Sequence, residues 1–354
     1  MIFASGIAPH LRAQITVPVM MRQVIYSLLP GIAAYIWFFG IGVALNCLIA
    51  AAVVMLTEAI ALRLRRRPVK LFLFDYSAIV TAILLALCLP VLTPWWVTAS
   101  GAFFAIAIAK HLYGGLGFNV FNPAMAGYVA ILVSFPEYMT HWTAPNIGDI
   151  DYQPLAAVAT LQYIFMGVLP DGLTIDAISR ATPLDTVKTE LGMMLTIGEI
   201  RANPLFGDFG GRGWEWINGA YALGGFWLLF RGIIRWHVPV AVIGGLLLMA
   251  GGGYIIDSAT HPGAGFHIFS GGALLCAFFI ATDPVTCTTT NTGRLIYGAG
   301  IGVLIYVIRN WGSYADGVAF AVLLMNMTVP LIDRYTRPKV YGRSPTKKQQ
   351  PTHG

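Results

Sequence analysis

Long apolar runs without charge divide most of this chain into segments of membrane-spanning length. The first run, residues 24–57, contains no charged side chain. A helix needs about 20 apolar residues to cross a hydrocarbon core of about 30 Å, so this run accommodates two helices with a turn at Gly40 and Gly42. The same criterion predicts ten spanning helices, several of them short enough to be tilted or broken, at residues 22–40, 42–62, 76–91, 95–111, 122–136, 214–231, 238–256, 265–282, 295–309 and 316–333.

One long polar segment separates the first five predicted helices from the last five. Residues 137–213 are rich in Pro, Gly, Asp and Asn, as expected for a water-facing region, and loops of this length are usually functional. Residues 155–169 are apolar but short, and we interpret them as an interfacial or partly inserted piece. The sequence therefore predicts four parts. An N-terminal tail and the first five-helix half occupy 1–136, and the polar loop occupies 137–213. The second five-helix half occupies 214–333, and a basic tail occupies 334–354.

The placement of Lys and Arg predicts the orientation of the chain. The strongest basic cluster, RLRRRPVK at residues 63–70, is expected in the cytoplasm because positive charge is retained on that side. With ten spans, both termini are then cytoplasmic, and 17 of the 22 basic residues lie on the inner side. The polar loop 137–213 is therefore predicted to be extracytoplasmic.

Composition agrees with an all-α integral membrane protein. The chain is 57% hydrophobic and only 11% charged, against about 25% charged in soluble domains. The four cysteines, of which three fall inside apolar segments, lack metal-ligand spacing, so we expect no metal site and no iron–sulfur cluster. The net charge of +6 arises from basic residues at helix ends, which indicates topology rather than a nucleic-acid partner.

The polar loop carries the sequence Asp176-Ala-Ile-Ser179-Arg-Ala181-Thr182-Pro183. Pro183 biases Thr182 toward an extended conformation, which helps present its hydroxyl group to another molecule. No histidine or other basic partner that could take the proton of Thr182 stands close to it in sequence, so it suits an acceptor of a phosphodiester better than a catalytic nucleophile. A capped turn before the helix-like LDTVKTELGMML is the alternative, since Thr is a good N-cap and Pro is favoured in the first turn. The two interpretations are compatible, because a helix N-terminus stabilises a phosphate.

With these residues in place, the chain resembles the D subunit of the Rnf electron-transport complex and its relative, the B subunit of the sodium-pumping NADH:quinone reductase. The resemblance extends over nearly the whole chain. It includes the ten-span layout, the Ser-x-Ala-Thr motif ending at Thr182, and the segments FNVFNPAMAGY and ATDPVT at 118–128 and 281–286. In that family the last threonine of the motif is esterified to the phosphate of FMN by a separate flavin transferase. Carried over, the motif residues are Asp176, Ser179, Ala181 and the acceptor Thr182.

The resemblance implies a membrane electron-relay subunit of an ion-translocating ferredoxin:NAD oxidoreductase, a translocase that is not catalytically complete in this chain alone. Electron flow would be coupled to movement of Na⁺ or H⁺. The implied cofactors are covalent FMN and a noncovalent riboflavin among the helices. The implied partners are an extracytoplasmic flavoprotein subunit, membrane iron–sulfur subunits and cytoplasmic ferredoxin- and NADH-side subunits, in the bacterial inner membrane with the flavin loop periplasmic.

Polar residues within apolar segments are costly and often functional. Asn122 and Asp283 each precede a proline, which suits a capped helix start, and a pair of interrupted segments can mark a binding site in transporters. Glu58 and Asp75 flank the basic loop, where they either serve ion movement or pair with its arginines at the surface. Two further functions stay open: the flavin subunit of a Na⁺-translocating NADH:quinone reductase, and a non-redox channel or transporter with a urea-channel-like bundle.

Overall fold

The computed structural model describes residues 16–147 and 154–338 of the chain; residues 1–15 and most of the predicted basic tail at 334–354 lie outside these ranges. Regular structure in the described residues is helical, with isolated bridges pairing Thr143 with Ser179 and Phe206 with Gly211. The first half holds α1 (Val17–Phe39), α2 (Gly42–Leu64), α3 (Val69–Leu73), α4 (Ser77–Ala86), α5 (Trp95–Phe103) with its π-helical continuation Phe104–Leu112, and α6 (Pro123–Ser134).

The central loop and the second half are also helical. The loop contains α7 (Pro136–Thr140), α8 (Ala157–Met166), α9 (Ile175–Ile178), α10 (Pro183–Gly192) and α11 (Ile197–Ile200). The second half contains α12 (Trp214–Phe230), α13 (His237–Ile256), α14 (Ala264–Phe269), α15 (Ala273–Leu275) with the π-helical Cys276–Ile280, α16 (Asn291–Trp311) and α17 (Val318–Thr336). The prediction of an all-α protein is confirmed for the described residues.

The helices identify a multi-pass membrane protein. Five of the described helices, α1, α2, α13, α16 and α17, are long and apolar enough to cross a membrane. The other five predicted segments also hold helices, but these are short or interrupted: α4 has 10 residues, and the segment at 265–282 breaks between α14 and α15. The total of ten crossings and the orientation of the termini therefore stay predictions.

Close approach of backbones organises the second half. Helices α13 and α16 pack along much of their length, and a Cβ atom on Gly298 would lie 2.8 Å from the carbonyl oxygen of Val238. Small residues at such crossings let helices approach in a membrane, where packing replaces the hydrophobic driving force. The turn predicted between the first two helices is confirmed, since Gly40 ends α1 with a φ of 91°.

The polar loop folds into helices on one end of the bundle. Helix α10 buries Leu184 and Val187 in a small apolar cluster with Ile197, Ile200 and residues outside the loop helices. Helix α8 occupies the apolar piece at 155–169, and its 10 residues extend about 15 Å, roughly half of a hydrocarbon core. Packing against this apolar cluster therefore fixes the position of helix α10 and of Thr182 at its start.

Candidate functional site

Thr182 is the N-cap residue of α10. Its backbone is extended, with φ −68° and ψ 160°, as Pro183 at the first helical position requires. Its hydroxyl oxygen accepts a hydrogen bond from the backbone N–H of Asp185 at 3.2 Å and donates to the Asp185 carboxylate at 2.5 Å. The capped turn predicted from the sequence is thus present. The structure also places the carboxylate of Asp185, which the local sequence pattern did not single out, in contact with the Thr182 hydroxyl group.

The residues before Thr182 are bonded to the beginning of the polar loop. The backbone N–H of Arg180 donates to the carbonyl oxygen of Trp142 at 2.7 Å, and Ser179 pairs with Thr143 in an isolated bridge. Asp176 lies exposed in the first turn of α9, and Ala181 is exposed next to Thr182. Thr182 therefore lies at the end of a short extended segment that these backbone contacts fix, whereas Asp176 is exposed on the surface and takes no part in them.

Thr182 lines a cavity, here called the Thr182 cavity, that extends into the helical bundle. The empty space between its walls, which includes the opening to solvent, is about 1060 Å³. Ligand pockets are typically mostly apolar with a few placed polar groups. Several aromatic residues line the cavity, and the buried Tyr221 hydroxyl has no hydrogen-bond partner. The lining includes Tyr128, Trp142, Trp214, Tyr221 and Tyr314.

A buried arginine organises one wall of the Thr182 cavity. Arg309, 4% exposed, donates to Asp316 at 3.1 Å and to the carbonyl oxygens of His267 and Ser270. The other carboxylate oxygen of Asp316 accepts from the backbone N–H of Gly272 at 2.8 Å. Because the Arg309 charge is paired and hydrogen-bonded, its burial is tolerated, and these contacts fix the break between α14 and α15 at the cavity wall.

A second space, the Asn122 cavity, lies between the helices and brings Asn122 and Asp283 together. Its empty volume is about 860 Å³. Asn122 caps α6 through Met125, as predicted, and its amide donates to the carbonyl oxygen of Ile280 at 3.3 Å. The predicted helix start at Asp283 is wrong. Pro284 lies in a turn in which Asp283 accepts hydrogen bonds from Val285 and Thr286, because its carboxylate caps that turn instead.

The interpretation of Glu58 and Asp75 as surface partners of the basic loop is wrong, because both are buried. Glu58 forms an ion pair with Lys110, whose nitrogen lies 2.7 Å from Oε1. Lys110 also donates to the Ser77 hydroxyl at 2.8 Å, and Asp75 accepts from the same Ser77. Lys110 lines the Asn122 cavity. Lys110 was expected at the cytoplasmic end of the predicted span 95–111, and no local pattern signals its pairing with a residue 52 positions away.

Comparison with known proteins identifies the class to which this bundle belongs. The sequence model of the NQR2, RnfD, RnfE family matches residues 5–342, and the chain belongs to that family. Similar relatives are the ion-translocating oxidoreductase complex subunits D of Vibrio cholerae, Aeromonas salmonicida and Aliivibrio salmonicida. Their identities to this chain are 49%, 50% and 47%. In the same order of relatives, the matches cover 97%, 91% and 95% of this chain and 100%, 94% and 97% of the relative. The resemblance noted from the motif is confirmed.

Proposed function

We propose that this chain is the D subunit of an Rnf-type ion-translocating oxidoreductase complex and carries FMN covalently on Thr182. One observation carries the flavin assignment: the acceptor hydroxyl stands at a helix N-terminus and at the mouth of an aromatic-lined cavity. The family and the names of the relatives support the complex. The aromatic side chains that line the cavity and the position of Thr182 beside it support a tethered flavin.

The residues around Thr182 suit attachment of a phosphate. The Asp185 carboxylate is placed to take the hydroxyl proton as Oγ bonds to phosphorus, while a phosphoanhydride bond breaks in the activated flavin nucleotide held by the transferase. The backbone N–H groups at the start of α10, free of a carbonyl partner within the helix, would stabilise the resulting negative charge. Pro183 removes one such donor but fixes the direction of the chain.

Bound FMN supplies one- and two-electron transfer, and the protein contributes binding, orientation and exclusion of water. Trp142, Trp214 and Tyr314 offer faces on which a planar ring system stacks. Tyr221 provides a buried hydroxyl without a partner, which a polar ring edge would satisfy. The electrons would arrive from an extracytoplasmic flavoprotein subunit and leave through membrane iron–sulfur subunits, with ferredoxin- and NADH-side subunits in the cytoplasm.

The same proposal includes the inner membrane as location, the loop 137–213 on the periplasmic face, and coupling to Na⁺ or H⁺.

The Asn122 cavity is the place we propose for the noncovalent riboflavin, since it lies among helices and its wall includes the buried Asn119, whose side-chain oxygen has no partner. Acid extraction of purified protein would release riboflavin while FMN stays with the chain. Absence of extractable flavin would remove this second site.

The attachment is tested by co-expressing the chain with a flavin transferase and comparing it with Thr182→Ala and Ser179→Ala variants. Denaturing gels viewed under ultraviolet light should show flavin fluorescence that Thr182→Ala abolishes. Mass spectrometry should place an FMN-sized addition on the 176–188 peptide. A dark and unmodified peptide would instead support the channel or transporter alternative. The quinone reductase alternative is separated by co-purification, because it lacks the ferredoxin-side partners.

A further inference from the structure

We propose that Lys188 is a positioning residue that holds helix α10, and with it a flavin attached at Thr182, against the wall of the Thr182 cavity. The inference rests on the proposed attachment of FMN, but the contact itself belongs to the chain. Lys188 lies on α10 six residues after Thr182. Its ammonium group donates to the backbone carbonyl oxygens of Gly312 and Tyr314, the latter at 2.9 Å.

The two carbonyl groups belong to the segment that forms the opposite wall. Gly312 ends α16, and the residues that follow, Tyr314 to Asp316, line the Thr182 cavity. Asp316 is in turn fixed by Arg309 and by the Gly272 N–H. One ammonium group therefore connects the helix that carries the attachment hydroxyl to the most extensively hydrogen-bonded part of the wall.

Attachment of a phosphate increases the importance of this contact. Before attachment, the Thr182 hydroxyl donates to Asp185 and fixes the first turn of α10. Once Oγ is bonded to phosphorus it has no hydrogen to donate, and the Asp185 carboxylate then faces an added negative charge. Lys188 lies one turn beyond Asp185 and is the only lysine in the loop 137–213. Its contacts with Gly312 and Tyr314 do not depend on the Thr182 hydrogen and persist in the modified protein.

The chemistry of the contact favours positioning over a surface ion pair. Carbonyl oxygens accept from the ammonium group without needing a charged partner, so salt screens the interaction less than it screens exposed pairs. Burial lowers the pKa of Lys188, while the Asp185 carboxylate acts in the opposite direction. The ammonium group is thus partly removed from water at the junction of α10 with the wall. Removing this group would release α10 from its contact with the wall.

The test compares native and denatured flavin emission in the full chain carrying Lys188→Met. Trp214 and Tyr314 in the cavity would quench the emission of a flavin held beside them by electron transfer to the excited ring. In Lys188→Met, emission of the native protein should rise and its anisotropy should fall. We expect the undocked fraction to increase about tenfold, equivalent to about 1.4 kcal/mol. Emission after denaturation should stay equal to that of the unchanged chain.

Two variants make the comparison specific. Arg201→Met removes another loop cation that donates only to backbone carbonyl oxygens, those of Gly207 and Asp208, and should leave native emission unchanged. Lys188→Arg keeps a donor for both carbonyl groups and should restore quenching. If Lys188→Met leaves native emission and anisotropy as they were, the positioning role is overturned. If no variant shows denatured emission, the attachment at Thr182 is wrong instead.

A second measurement does not require flavin. In the chain made without transferase, hydrogen exchange of the α10 amides reports how often the helix leaves its wall. Lys188→Met should raise the exchange rates of residues 187–192 about tenfold, and Arg201→Met should leave them unchanged. Equal rates in Lys188→Met and the unchanged chain would overturn the contact as a determinant of helix position, whatever the outcome for flavin.

Discussion

The Thr182 hydroxyl group makes two hydrogen bonds with opposite consequences for its chemistry. The bond it accepts from the Asp185 N–H occupies a lone pair and stabilises α10. The bond it donates to the Asp185 carboxylate prepares its proton for removal. Attachment of a phosphate would exchange the first contact for phosphoryl oxygens at the helix N-terminus and would abolish the second. Asp185 is therefore the residue on which the proposed attachment would depend most directly.

We expect Asp185→Asn to slow flavin incorporation about a hundredfold, within the range for loss of a general base. The amide still fills the same space, and the backbone N–H of residue 185 that donates to the Thr182 cap is retained, so the helix should persist. The measurement is the initial rate at which in-gel flavin fluorescence grows at a fixed transferase concentration. Glu190→Gln on the same helix is the control, and an unchanged rate for Asp185→Asn would show that the transferase supplies the base.

Among the elements, the short helices of the loop depend on their caps. Helix α11 has a capping box, in which the Glu199 carboxylate accepts from the backbone N–H and the hydroxyl group of Thr196 at 2.8 and 2.7 Å. A helix this short has little stability of its own. It contributes Ile197 and Ile200 to the apolar cluster under α10, so the caps support the helix that carries Thr182.

The capping box makes this support pH-dependent. The hydrogen bonds from Thr196 lower the pKa of Glu199 below its ordinary value of 4.5. The stabilisation is therefore complete above pH 4.5 and is lost as the pH falls through the lowered pKa. Hydrogen exchange at residues 197–203, relative to unstructured amides, should show protection that declines over that range. Glu199→Gln should be less protected at neutral pH and should lack this dependence; an identical profile would contradict the assignment.

The long helices depend on close packing instead. Adding a methyl group at Gly298 places it 2.8 Å from the Val238 carbonyl oxygen, so we expect Gly298→Ala to cost about 1–3 kcal/mol in stability. A methyl group at Gly244 meets no atom within 4 Å, and Gly244→Ala should be neutral or slightly stabilising. Thermal unfolding in detergent measures the difference. Equal Tm values for the two variants would mean that α13 and α16 pack less closely than described.

At the scale of the whole molecule, the two cavities are separated by a thin layer. Met125 and Ile280 line the Thr182 cavity, and their neighbours Ala124 and Phe279 line the Asn122 cavity. The family match over residues 5–342 extends through both cavities.

The orientation of this arrangement is predicted from charge and can be measured. In a chain whose native cysteines are replaced, Thr189→Cys should react with a membrane-impermeant reagent added to intact cells. Arg66→Cys, in the basic cluster, should react only after the membrane is opened. Both positions are exposed, so access decides the result. Labelling of Arg66→Cys in intact cells would reverse the orientation and place Thr182 in the cytoplasm.

The sequence by itself determined the membrane class, the positions of the helical segments and the extended conformation of Thr182, because apolar run length and proline geometry act within a few residues. The motif residues likewise led to the family. The contact between Thr182 and Asp185 could also have been predicted, since a Thr followed three residues later by an acidic residue has the spacing of a helix cap.

Only the tertiary structure decided which distant residues meet. It paired Glu58 with Lys110, joined Lys188 to the end of α16, and brought Asn122 and Asp283 to one cavity. Hydropathy cannot reveal such pairs, because a buried charge is tolerated only through a partner whose position depends on how whole helices pack. The capped turn at Asp283 was missed for the same reason: Asp-Pro suits a turn or a helix start equally, and the surrounding helices select between them.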